Sequence, residues 1–122
     1  MLQNCKNLSL DENWVNATLA LQLQEVAIVL YSKKLGIDLN KRNVERILDK
    51  KIEEKFLPFN LMYDALSKEI ERIYKVQMPI LTKSFREMRT QVLHRGYNPK
   101  GEETRSIITF TDGLLKKFES IK

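Results

Sequence analysis

The chain has 122 residues, 43% hydrophobic and 30% charged, with a formal net charge of +5 and a pI near 9.4. That length supports one domain around one core, and four Gly with three Pro are too few for an all-β architecture with its frequent turns. A single cysteine, Cys5, excludes an internal disulfide, while the basic balance suits a polyanionic partner: nucleic acid, nucleotide or an acidic protein.

No basic, apolar leader opens the sequence, and its least charged stretch, Asn13 to Gln24, is interrupted by Asn, Thr and Gln. No membrane span is expected, and the location expected is cytoplasmic. Residues 1–8 are polar and patternless, a loose end ahead of a single domain. Ser9-Leu10-Asp11-Glu12 has the form of a capping box, with the Ser9 hydroxyl accepting from the Glu12 amide and the Glu12 carboxylate reaching back. The first helix should then run to about Leu35, with Gly36 turning the chain out of it. Leu19, Leu21, Leu23, Val26, Ala27, Ile28, Val29, Leu30 and Tyr31 make this helix apolar on more than one face. Such a helix is central in a bundle, buried in a subunit interface, or both; both roles are expected here.

Asp38 or Asn40 can cap a second helix with Val44, Ile47, Leu48 and Ile52 on its inner face. Its outer face, with Lys41, Arg42, Arg46, Lys50 and Lys51 among acids, reads as a solvated surface; the alternative is a strip for phosphates. Pro58 ends that pattern. A third helix is predicted over 60–76, with Met62, Leu66, Ile70 and Ile73 inward and Lys68, Glu69, Glu71, Arg72 and Lys75 outward. Glu71 and Lys75 stand in the favourable order for an ion pair one turn apart. Pro79 restarts the helix, and a fourth runs to about His94 on the stripe Leu81, Phe85, Met88 and Val92. It ends at Arg95-Gly96, and Asn98-Pro99-Lys100-Gly101 forms a loop. The last helix starts near Glu102-Glu103 and buries Ile107, Thr111, Leu114, Phe118 and Ile121. Gly113 inside it costs about 1 kcal/mol relative to alanine, which points to close approach of another helix. The fold class expected is all-α, an up-and-down bundle of four to five helices.

Most site chemistries are excluded by what is missing. One His and one Cys cannot make the usual zinc site, and the glycines stand singly at 36, 96, 101 and 113, so no phosphate loop is present. Acids interleave with lysines as surface pairs do. No metal or cofactor is expected. Arg89 and His94 remain. Arginine offers a fixed fork of donors suited to a phosphate oxygen, and histidine exchanges a proton near neutral pH. A regular helix sets the two about 140° apart, so they meet only if the last turn loosens before Gly96 or if a second copy supplies the partner residue. Both are expected at the exposed end of the helix.

Arg89-x4-His94 closing an amphipathic helix, then Gly96-Tyr97-x-Pro99 and a final helix, all in a basic bundle, resembles the HEPN family (higher eukaryotes and prokaryotes nucleotide-binding). The resemblance implies a four- or five-helix domain that dimerises, so that two Arg-x4–6-His motifs share a cleft. It implies metal-independent RNA cleavage in a toxin–antitoxin, phage-defence or CRISPR setting. Other members bind nucleotides or accompany a nucleotidyltransferase without activity. By this resemblance Arg89 is the phosphate or transition-state ligand and His94 the catalytic or phosphate-contacting residue, supported by Arg86, Thr90, Arg95 and Tyr97. RNA or a nucleotide, a second copy, and an antitoxin or nucleotidyltransferase are the partners implied. Thr90 stands where active members often carry Asn, His or Asp. Gly96 stands where the toxin branch paired with a minimal nucleotidyltransferase has tyrosine; Tyr97, one place later, is expected to pack on the last helix. Three functions stay open: ribonuclease, non-catalytic nucleotide-binding module, and helical interaction protein.

Overall fold

The computed structural model describes residues 5–121, with side chains from residue 12 onward. Five helices are present: α1 (Cys5–Leu35), α2 (Lys41–Leu48), α3 (Phe59–Tyr74), α4 (Lys83–His94) and α5 (Gly101–Ser120), with no strand among the described residues. None is long and apolar enough to cross a membrane.

The spine of the bundle is α1, which packs chiefly on α5 and also touches α3 and α4. It begins ahead of Ser9, so residues 5–8, expected to be loose, are helical. The cap expected from the Ser9 side chain lies outside the described residues. At its other end Gly36 takes φ 72°. The Ile37 amide then donates back to the Ser32 carbonyl at 2.8 Å and the Gly36 amide to Lys33 at 3.2 Å, with Ile37 buried behind them. Ala17, Leu21, Gln24, Ala27 and Ile28 form the inward face of α1. Gln24 is buried because it has a partner: its Nε2 donates to Thr111 Oγ1 at 2.8 Å across the α1–α5 contact. One turn pair further along, Tyr31 stacks on Phe118 with centroids 4.4 Å apart.

Asn40 caps α2, its side chain accepting from the Asn43 amide at 2.8 Å, while Asp38 instead accepts from the Asn40 amide at 3.0 Å. The helix stops at Leu48 because Asp49 turns left-handed, at φ 54°. Ile52 is therefore buried from the following segment rather than from the helix, and its amide donates to Glu45 Oε2 at 2.8 Å. With Val44, Ile47 and Ala65 it forms a small core between α2 and α3.

The inward arc of α3 is rotated from the expected one. Phe59, Tyr63, Leu66 and Ile70 are buried, Met62 is only half-buried, and Ile73 is 46% exposed. Glu69, expected outward, is 7% exposed. Two neighbours covering different sides of α3, namely α1 and α2, widen the buried arc and shift it. Arg72 holds the Glu69 carboxylate through two hydrogen bonds of 2.9 Å and so keeps its pKa low. The expected Glu71–Lys75 pair is replaced: Lys75 lies past the helix end at φ 60° and its Nζ donates to the Arg72 carbonyl at 3.1 Å.

Pro79, expected to restart the helix, lies instead in the segment between α3, which has already ended at Tyr74, and α4. The fourth helix begins at Lys83 after Thr82, whose hydroxyl accepts from the Phe85 amide at 3.2 Å. Met78 and Leu81 plug the core from the connecting segment. In α5 the stripe Ile107, Thr111, Leu114 and Phe118 is buried throughout, and Ile121, the extended residue that follows the helix, is buried with it. Gly113 departs from expectation, since a Cβ there would meet nothing within 4 Å. Among the described residues no other helix approaches it closely.

Candidate functional site on the outer face of the fourth helix

Hydrophobic periodicity decides how α4 is rolled. Phe85, Met88 and Val92 turn toward Ala17, Leu21 and Ile107, and this commits Arg89 to the inner side as well. Arg89 is 5% exposed. Its guanidinium carbon lies 3.7 Å from the Phe59 ring centroid, and Nη2 reaches Glu25 Oε2 at 3.2 Å. Its Nε is buried with no hydrogen-bond partner among the described residues. Burial pulls the pKa of Arg89 down to about 10, against the opposing pull of Glu25, so the side chain stays charged at neutral pH. The expectation that Arg89 stands at an exposed helix end is thereby corrected. The helix stripe buries it, and Phe59 and Glu25 make the burial tolerable.

His94 is exposed, as the last residue of α4. At 100° per residue, Lys83, Arg86, Glu87, Thr90 and His94 fall within an arc of about 100°, on the side away from the core stripe. That side opens into a groove of about 460 Å³ lined by Asn60, Lys83, Arg86, Glu87, Thr90, Gln91 and Arg95, with His94 outside the lining. Three of the predicted support residues, Arg86, Thr90 and Arg95, thus come together, whereas Arg89 is turned into the core and does not line the groove.

The cations in this groove differ in how far they are committed. Arg86 pairs with Asp64 at 2.8 Å and donates from Nε to the Leu81 carbonyl at 2.8 Å, which ties α4 to α3. Among the described residues, Lys83 and Arg95 have no ion-pair partner. Thr90 Oγ1 donates to the Arg86 carbonyl at 3.1 Å. Gly96, at φ 66°, reverses the chain after Arg95 and lets the Tyr97 amide donate to the Gln91 carbonyl at 2.9 Å. Tyr97 then folds onto the start of α5, where its hydroxyl donates to Glu103 Oε1 at 2.7 Å. That bond raises the Tyr97 pKa and helps to lower that of Glu103, whose carboxylate also accepts from the Lys100 amide at 2.8 Å. Tyr97 is thereby a fastening of α5 rather than part of the groove.

No protein-family model, curated protein or solved structure matches this chain.

What the site can do follows from its side chains. Arg95 and Lys83 can take phosphate oxygens, and His94, the residue before Arg95, can take or give a proton. No cluster of three or more His, Cys, Asp or Glu that could hold a metal occurs among the described residues. The residues that sequence reasoning passed over are the partners of Arg89 and the groove cation Lys83. Glu25 did carry a signal: it is the sole charged residue from Asn13 to Ser32. A lone acid in a long uncharged run calls for a cation near it, and Arg89 is that cation.

Proposed function

We propose that this chain is a HEPN-like ribonuclease domain that cuts RNA without a metal, using the outer face of α4. The observation that carries this reading is the exposure of His94 on the same helical face as Lys83, Arg86 and Thr90, with Arg95 following it. RNA phosphates lie in the basic groove, held by Lys83 and Arg95. His94 accepts the proton of a ribose 2′-hydroxyl as its oxygen attacks the adjacent phosphorus. The bond from phosphorus to the 5′-oxygen breaks, and that oxygen takes a proton from solvent or from the His94 of a second copy. Arg95 faces the negative charge that gathers on the phosphoryl oxygens. Arg89 is a positioning residue in this scheme: through Glu25 and Phe59 it helps hold the roll that the α4 stripe sets, and so the direction of His94.

A second reading is favoured by the burial of Arg89. With the motif's arginine turned inward, the same groove would hold a nucleotide or RNA phosphate without cutting it, as a helical companion of a nucleotidyltransferase would. One experiment separates the two. The chain is incubated with end-labelled RNA and with DNA of the same sequence, in EDTA. The ribonuclease reading expects RNA fragments ending in 2′,3′-cyclic phosphate and 5′-hydroxyl, with DNA untouched. Binding to RNA without fragments would favour the companion reading.

A further inference from the structure

Opposite its buried face, α1 carries a second apolar surface that no other element among the described residues covers. Val15, Leu19, Leu23, Val26, Val29 and Leu30 are 42–59% exposed. On a regular helix these six fall within an arc of about 120° and extend about 22 Å along the axis. Gln22 is the one polar residue inside the arc over that length. Glu12 and Lys33, both exposed, lie on the same arc just beyond its two ends. An apolar strip of this length, continuous and flanked by charge, is more than scattered surface hydrophobicity.

We propose that this strip is occupied by the α1 helix of a second copy, packed antiparallel about a two-fold axis between Gln22 and Leu23. The charge pattern selects that partner and that direction. Running one α1 antiparallel against another sets Val15 opposite Leu30, Leu19 opposite Val26 and Gln22 opposite Leu23. It also sets Glu12 opposite Lys33 at both ends. A parallel pairing would instead set Glu12 against Glu12 and Lys33 against Lys33. A self-complementary patch is what a two-fold interface requires.

This arrangement has a consequence for the site, and in that respect it rests on the ribonuclease reading. Glu25 stands about 100° around α1 from the centre of the strip and holds Arg89, so α4 lies on one flank of α1. The two-fold axis is perpendicular to both α1 helices and lies in the plane between them. Rotation about it reverses the helix direction and exchanges the copies, but leaves that flank on the same side. Both α4 helices, and both His94 residues, therefore stand on one side of the dimer. The axis runs between the two α1 helices, not beside α4.

The test is sedimentation equilibrium of the full chain without RNA, alongside four variants. The wild type sediments as a dimer at micromolar concentration. Leu23→Glu, on a side chain already 44% exposed, keeps the helical circular-dichroism spectrum and weakens the dimer by about a hundredfold or more, because two carboxylates would be buried at the axis. Glu12→Lys and Lys33→Glu each weaken it about tenfold, and the double reversal restores it. A monomeric wild type, an unaffected Leu23→Glu, or a double reversal that fails to recover would each overturn the proposal. A wild-type dimer that leaves RNA intact would keep this interface and remove the ribonuclease reading. A monomer that cuts RNA would do the reverse.

Discussion

Arg89 of α4 meets Glu25 of α1 at 3.2 Å, and this pair joins the helix that ends in His94 to the helix that carries the uncovered apolar strip. The guanidinium is also stacked on Phe59 from α3, so three helices converge on one cation. Arg89→Ala removes that contact and leaves a cavity, and should cost roughly 2–4 kcal/mol in urea denaturation. Arg89→Lys keeps the charge without the flat face and should still cost about 1–2 kcal/mol. Glu25 is 46% exposed, so water compensates in part and Glu25→Gln should cost only about 1 kcal/mol. A loss under 0.5 kcal/mol (roughly the scatter of an ordinary surface change) for Arg89→Ala would contradict the structural role.

Gly113 is the clearest site for gaining stability. A methyl group there meets no atom within 4 Å. Gly113→Ala should therefore raise the stability of the chain by up to about 1 kcal/mol, through helix propensity alone. A destabilised variant, judged from its denaturation midpoint, would mean that another surface rests on Gly113 in solution.

Acid stability should depend on Glu103. Its pKa is lowered from an ordinary 4.5, first by the Lys100 amide and then by the Tyr97 hydroxyl. The unfolded chain therefore takes up this proton at a higher pH than the folded one, so stability rises with pH across the interval between the two values. The contribution is complete above 4.5 and disappears as pH falls through the lower folded value. Glu69, lowered by Arg72, acts in the same direction. In thermal melts between pH 2 and 6, Glu103→Gln should flatten this acid limb; an unchanged slope would rule out Glu103 as its source.

Much of the fold was legible because the helix stripes are regular. The α5 stripe from Ile107 to Ile121 and the end of α1 at Gly36 follow directly from periodicity and from a left-handed glycine. Helix ends were harder where a non-glycine residue adopts that conformation: Asp49 and Lys75 stop α2 and α3 early, and neither residue type announces it. The roll of α3 was misjudged because its buried arc depends on two neighbours, which no single-helix pattern contains. In the site, the spacing of Arg89 and His94 implied divergent directions, and the structure shows one inside and one outside. The α4 stripe turns Arg89 inward, but the groups that make its burial tolerable, Phe59 and Glu25, lie 30 and 64 residues away in sequence. Such distant partners leave only an indirect trace, here the isolation of Glu25.

The central claim is that His94 on the exposed face of α4 carries metal-independent RNA cleavage. Single-turnover cleavage of a labelled RNA in EDTA, by the wild type and by His94→Ala, tests it most directly. The variant should lose no more than about 1 kcal/mol of stability, since only the favourable placement of a cation at a helix C-terminus is given up. The wild type should release 2′,3′-cyclic phosphate ends, and the folded His94→Ala should be slower by about 10²–10⁴-fold. Equal rates for the two proteins, or cleavage that vanishes with EDTA and returns with a divalent metal, would contradict the claim.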